Sequence, residues 1–184
     1  MKIILASASP RRSDILTKFG FKFTVIKSDF NETNELENPC ETAMGFALGK
    51  AKNVAENTLL DNDTIVLGAD TVVYFENEIL GKPKDKGQAR AMLNRLSGNE
   101  HKVITGYALI SKDKVVTGYD ESSVVFNELP SSLINEYVET GLPLDKAGSY
   151  GLQDGFDIVK EYKGSYYNIV GLPIEKIIEE LKNF

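Results

Sequence analysis

The sequence predicts an α/β (α+β) fold, a mixed and strongly twisted β-sheet flanked by helices. Three observations carry that reading. The chain opens on a short apolar run, Ile3-Ile4-Leu5-Ala6, that leads into an amphipathic stretch with Ile15, Leu16 and Phe19 on one face. Two segments, 103–110 and 115–126, bracket the turn Ser111-Lys112-Asp113-Lys114 and form a long antiparallel hairpin, which excludes a purely parallel sheet. Helical spacing recurs between the strands, at 43–55, 89–96, 133–138 and 174–181.

The first strand runs into Ser7-Ala8-Ser9-Pro10-Arg11-Arg12. Ser9 reads as an N-cap and Pro10 as the first helical residue, where its missing N–H costs nothing, and Gly20 stops the helix. Residues 21–26 read as a strand and 28–39 as a polar connection. A long helix is expected from about Glu41 to Asn57, on Ala43, Ala47, Ala51, Val54 and Ala55. Ile65-Val66-Leu67 reads as a buried strand that gives out at Gly68-Ala69-Asp70-Thr71, before the apolar Val72-Val73-Tyr74-Phe75. Glu76-Asn77-Glu78 is a turn into Ile79-Leu80, and Gly81-Lys82-Pro83 ends that hairpin. Ala89, Met92, Leu93 and Leu96 mark a helix closed by Gly98, and Leu133, Ile134, Tyr137 and Val138 one stopped by Gly141. Two short strands are expected near Tyr150 and Ile158, then a last helix from about Pro173.

At 184 residues the chain fits one domain, or two small lobes around a cleft. No apolar run is long enough to span a bilayer, and Met1-Lys2-Ile3-Ile4-Leu5 lacks the long apolar region of a signal peptide. A single cysteine, Cys40, excludes an internal disulfide and suits a reducing compartment, so a cytoplasmic protein is expected. The net charge of −6 argues against long nucleic acid, whose binding needs a basic footprint, but leaves room for a small phosphorylated ligand. One histidine and one cysteine exclude the usual zinc sites. A metal, if used, would be a hard ion held by carboxylates and phosphate oxygens, Mg²⁺ or Mn²⁺. His101, at the start of a strand, reads as structural.

The strongest chemical signal is at 7–12. Arg11 and Arg12 sit in a first helical turn, where the macrodipole favours negative charge. With exposed N–H groups and two hydroxyls, they make a phosphate site the first reading; an ordinary Ser-Pro helix start is the competing one. No G-x-x-x-x-G-K-[ST] is present, so this is not a P-loop. Asp70 is the most informative carboxylate, at the end of a buried strand beside small residues, against the alternative of a turn-capping Asp. Lys50 flanks the apolar face of its helix, as a snorkelling lysine or one aimed into a cleft. Lys82 is a phosphate contact or a surface charge, and Glu32 lies in a polar stretch that reads by default as a solvated loop.

Taken together, SASPRR at 7–12, Lys50-Ala51, GADTVV at 68–73, GKP at 81–83, LSG at 96–98, TG at 105–106, LDKAGSYGLQ at 144–153 and GSYYNIVGLP at 164–173 follow one order. In that order the chain resembles the Maf family of nucleoside triphosphate pyrophosphatases, over essentially its whole length. The resemblance implies a single domain over 1–184, an architecture like that of the inosine-triphosphate pyrophosphatases, and cleavage of the bond between the α- and β-phosphates. It implies a divalent metal, Mg²⁺ or Mn²⁺, with Glu32 and Asp70 as its ligands, and Asp70 as proton acceptor. Ser7, Ser9, Arg12, Lys50 and Lys82 would contact the triphosphate, and the metal and lysines around Asp70 would favour its ionised form.

Arg11, Thr71 and Gln153 match the branch of the family that prefers dTTP and UTP, and would choose the base. Leu142, where many relatives carry Glu, and Asp154, in place of a glycine, depart from the pattern. Relatives are often homodimers, so a homodimer is the assembly implied. Three alternatives stand beside this reading: a non-enzymatic regulator of septum formation, a preference for 7-methyl-GTP, and one for inosine triphosphate.

Overall fold

The computed structural model describes residues 1–33 and 36–184. Part of the polar connection expected over 28–39 therefore lies outside the described residues. The chain runs β1 (Lys2–Leu5), α1 (Pro10–Lys18), β2 (Phe23–Val25), α2 (Pro39–Glu56), β3 (Thr64–Phe75), β4 (Glu78–Leu80), α3 (Lys86–Leu96), β5 (Glu100–Ile110) and β6 (Val115–Phe126). It continues with α4 (Ser131–Glu139), three short 3-10 turns, β7 (Val159–Lys163), α5 (Tyr166–Val170) and α6 (Ile174–Leu181). The sheet order is β2-β1-β3-β5-β6-β7, with β4 paired to β3. Parallel β1–β2 and β1–β3 pairs coexist with antiparallel β3–β4 and β6–β7 pairs, so the sheet is mixed as the hairpins predicted. Among the described residues no helix is long and apolar enough to cross a membrane.

Two compact units share the strands: one comprises 1–71, 105–120 and 171–184, the other 72–104 and 121–170. In the first, Ile4, Ala6, Val66, Ala108 and Ile110 from the sheet pack with Ala47, Ala51 and Val54 of α2. Small residues on this helix face let it lie close to the sheet. A Cβ on Gly68 of β3 would stand 2.2 Å from the Ala47 carbonyl oxygen, and one on Gly106 of β5 2.3 Å from that of Ala43. Asn38 caps α2, its Oδ1 accepting from the Cys40 amide at 2.9 Å, and Pro39 takes the first helical position.

The second unit has its own core of Val73, Leu80, Leu93, Leu96, Phe126, Ile134, Tyr137, Val138 and Tyr150. Glu76 and Asn77 have φ of 50° and 63°, the left-handed pair that a two-residue hairpin turn requires between β3 and β4. Asp85 caps α3 by accepting from the Gln88 amide at 2.7 Å. His101 is structural, as expected. It is buried, packs edge-on against Phe126 and Tyr150, and pairs through Nε2 with Tyr150 Oη at 2.8 Å.

Four boundaries differ from the sequence reading. Residues 64–75 form one strand, because Gly68 is where a helix lies against it and Asp70 has a buried partner, so neither interrupts the ladder. The strand expected over 21–26 contracts to 23–25. No strand forms at Tyr150; the positive φ of Gly148 (67°) and Ser149 (65°) breaks extended backbone there, and 3-10 turns replace it. Residues 166–170, between the strand expected near Ile158 and the last helix, form a short helix.

Burial holds the His101 imidazole neutral, with its pKa lowered to about 4. The unfolded chain takes up that proton near pH 6.5. Stability should therefore be complete above pH 6.5 and decline as pH falls toward 4, by up to about 3 kcal/mol from this group. Urea unfolding across that range measures the decline, and His101→Phe should flatten it.

Candidate active site

Asp70 sits inside β3, not at its end, since the strand continues to Phe75. Residues 68 and 70 share one face of the strand, so the glycine that admits α2 lies on the same side as the carboxylate. Lys50, one position before Ala51 in the helix contact, reaches Asp70 Oδ1 at 2.6 Å. The same ammonium meets Glu32 Oε1 at 2.7 Å. Lys50 is thus aimed at two carboxylates and does not snorkel to solvent. Glu32, exposed on its loop, is held by that ion pair.

Burial pushes the Asp70 carboxyl above the usual carboxylate range, and the opposing pull of Lys50 and Arg12 does not cancel it. The cost of removing a carboxylate from water outweighs that attraction here. The ionised form expected of Asp70 is that of the carboxylate with a metal as well as lysines beside it, which this direction does not address.

Arg12 is buried and committed to three acceptors. Its Nε donates to Gly171 O at 2.8 Å, Nη1 to Ser7 Oγ at 3.0 Å, and Nη2 to Thr71 Oγ1 at 3.3 Å. Thr71 Oγ1 also pairs with Thr105 Oγ1 at 2.9 Å. Ser7 Oγ accepts from the Ser9 amide at 3.1 Å, and Ser9 makes no side-chain cap to α1. Burial lowers the Arg12 pKa, but a guanidinium stays charged, and it acts on both Asp70 and Glu32. Gly171 has φ of 119°, and a Cβ there would lie 3.2 Å from Thr71 Oγ1.

Ser7, Arg12 and Thr71 form one contact group and Glu32, Lys50 and Asp70 another, both in the first unit, with the Arg12 charge acting on Asp70 and Glu32. Arg11 is half-buried on the first turn of α1. Lys82 and Gln153 belong to the second unit, and both are exposed. The Lys82 loop is held by Gly148 N donating to Gly81 O at 3.1 Å. The Gln153 amide folds back over Gly151, where a Cβ would meet its Nε2 at 2.7 Å.

Sequence reasoning missed a buried polar group beneath Gln153. Lys146 is buried, and its Nζ donates to Leu142 O at 2.5 Å and pairs with Asp154 Oδ2 at 3.1 Å. Tyr137 Oη donates to Asp154 Oδ2 at 2.5 Å and accepts from the Gly151 amide at 3.0 Å. Asp154, noted only as a departure from the family pattern, is the anion that the buried lysine and tyrosine face. A lysine set between Pro143 and Ala147-Gly148 was the available signal.

Two carboxylates within 2.7 Å of one ammonium are close enough to share a cation. Among the described residues there is no group of three or more His, Cys, Asp or Glu able to hold a metal. A pair of carboxylates suits an ion such as Mg²⁺ that takes its remaining ligands from water and phosphate.

Gly68→Ala should drive α2 off the sheet and destabilise the protein by about 1–3 kcal/mol. Gly45→Ala, on the same helix with nothing within 4 Å, should stabilise it by up to about 1 kcal/mol. Urea midpoints for the two variants check both signs. Tyr137→Phe, which removes one donor from Asp154 and the acceptor of the Gly151 amide, should cost about 1–3 kcal/mol in the same assay.

The model of the Maf-like protein family matches residues 2–184. A dTTP/UTP pyrophosphatase of Bacillus anthracis (strain CDC 684 / NRRL 3495) is 50% identical over 185 residues, covering 100% of this chain and 95% of that protein. A dTTP/UTP pyrophosphatase of Bacillus cereus (strain AH820) is 49% identical with the same coverage. Among solved structures, the Staphylococcus aureus Ham1 protein aligns with a TM-score of 0.49 at 16% identity, over 70% of this chain and 73% of that one. The family model and the curated relatives both span this chain almost end to end, and the chain belongs to the Maf family.

Proposed function

We propose that this protein hydrolyses dTTP and UTP to the monophosphate and pyrophosphate. The single observation that carries the reading is the Glu32–Lys50–Asp70 group, two carboxylates on one ammonium with the Arg12 charge acting on both. The half-identical relatives named dTTP/UTP pyrophosphatase support the substrate.

In this reading Asp70 orients a water and takes its proton as the water oxygen bonds to phosphorus. The bridging oxygen between the α- and β-phosphates leaves with pyrophosphate. Such transfer asks the protein for alignment and charge compensation above all. Lys50 exchanges its contacts with Glu32 and Asp70 for phosphate oxygens. Arg12 supplies a fixed positive charge, with Ser7 and Ser9 lining the phosphate side. A divalent cation, Mg²⁺ or Mn²⁺, held by Asp70 and Glu32 would neutralise phosphate charge when bound. Lys82 takes its role, charge on the departing pyrophosphate, from the family motif.

Arg11, Thr71 and Gln153 are assigned to base choice. Gln153 is exposed and offers one acceptor and one donor face to a pyrimidine imide edge. We place the protein in the cytoplasm, with neither long nucleic acid nor membrane as partner; the family resemblance allows a homodimer without fixing the oligomeric state.

Purified protein incubated with a nucleotide panel and Mg²⁺ or Mn²⁺ should release pyrophosphate fastest from dTTP and UTP. Asp70→Asn should lower that rate about a hundredfold or more while circular dichroism stays unchanged. A protein inactive on every nucleotide would favour the septum-formation regulator instead. Faster turnover of 7-methyl-GTP or inosine triphosphate would reassign the substrate.

A further inference from the structure

Glu32 stands on a stretch with no helix or strand, yet its carboxylate is set against Lys50. Ordering a flexible carboxylate costs conformational entropy, so something must hold this loop. The contacts are specific. Ser28 Oγ donates to Asn53 Oδ1 at 3.0 Å, and the Asp29 amide donates to the same oxygen at 3.0 Å. The Phe30 amide donates to Ser28 Oγ at 3.1 Å. The Phe30 ring lies over Gly49, where a Cβ would come within 2.4 Å of ring carbons, and it packs against Phe46 at a centroid distance of 6.3 Å.

Phe46, Gly49, Lys50 and Asn53 follow the i, i+3, i+4, i+7 spacing that lines one face of a helix. One strip of α2 therefore carries both the Lys50 ammonium and the seats for the loop that brings Glu32 to it. Gly49 has no positive φ and needs none in a helix; the missing side chain leaves room for the Phe30 ring.

We propose that Gly49, Phe30 and Asn53 are positioning residues for Glu32: the bare Gly49 surface and the Asn53 oxygen seat the 28–30 segment so that the Glu32 carboxylate lies on Lys50 and is ready for a divalent cation. The inference rests on the reading of Glu32 as part of the catalytic group.

Gly49→Ala tests it, because alanine favours the helix while displacing the ring. Thermal unfolding of the variant should be unchanged or shifted upward. Its Mn²⁺ affinity, followed by electron paramagnetic resonance without nucleotide, should weaken by about tenfold or more, as for loss of outer-shell support. With dTTP, kcat should fall about tenfold or more with KM little changed, since a misplaced group acts on the chemical step. Asn53→Ala should show the same pattern, and Asn53→Asp, which keeps the acceptor oxygen, should restore most of it. A crystal structure of Gly49→Ala should show Glu32 outside ion-pair distance of Lys50.

Wild-type Mn²⁺ affinity and kcat in Gly49→Ala would overturn the proposal, as would losses that track a fall in melting temperature. A wild-type protein inactive on every nucleotide would sink the proposed activity alone. The Mn²⁺ titration and the crystal structure would still decide the positioning role.

Discussion

The close seat of α2 on β3 and β5 is the constraint on which the rest depends. It exists because Gly68 and Gly106 present no side chain where the backbone of Ala43 and Ala47 passes. Small residues at 43, 47 and 51 complete the contact from the helix side, all three fully buried. Close packing of this kind leaves little room for adjustment, since interiors are filled to crystal-like density. Lys50 extends from the same helix to Asp70 on the same strand, so the distance between them is a consequence of the backbone approach.

That ion pair is costly to build and costly to break. Both charges are largely removed from water, with side-chain exposures of 13% for Lys50 and 10% for Asp70. Their attraction offsets desolvation only while the geometry holds, and removal of one partner strands the other. Arg12 adds a second buried cation, hydrogen-bonded to Ser7, Thr71 and Gly171. A preorganised set of charges in a low-dielectric setting is well suited to compensating a polyphosphate. The position of Arg12 at a helix N-terminus makes sense in these terms, because its side chain serves Ser7, Thr71 and Gly171 and not its own helix.

The second unit repeats the tactic with different residues. Lys146 and Asp154 are buried together, with Tyr137 closing the group, so the turn that bears Gln153 rests on a satisfied polar foundation. The substitution of an aspartate for the family's glycine at 154 thereby acquires a partner for its charge. Leu142, the other departure, is exposed, and its carbonyl receives the Lys146 ammonium.

Much was legible in the chain itself. Apolar periodicity located the five longer helices, and the hairpins announced a mixed sheet, because side-chain period reports directly on which face is buried. Motif order placed Ser7, Arg12, Lys50 and Asp70 together before any distance was known, and the family resemblance added Glu32. Local pattern failed where a tertiary partner overrode it. Gly68-Ala69-Asp70-Thr71 looked like a break, but a helix backbone and a lysine made it the middle of a strand. Whether Lys50 snorkelled or paired, and whether Asp70 was raised or lowered, depended on burial that residues distant in sequence create. Sequence alone determined the elements and the chemical groups available, since those follow from neighbours along the chain. Only the tertiary structure decided their protonation, their partners and the loop seat at Gly49, because these arise from close approach between segments that share no local signal.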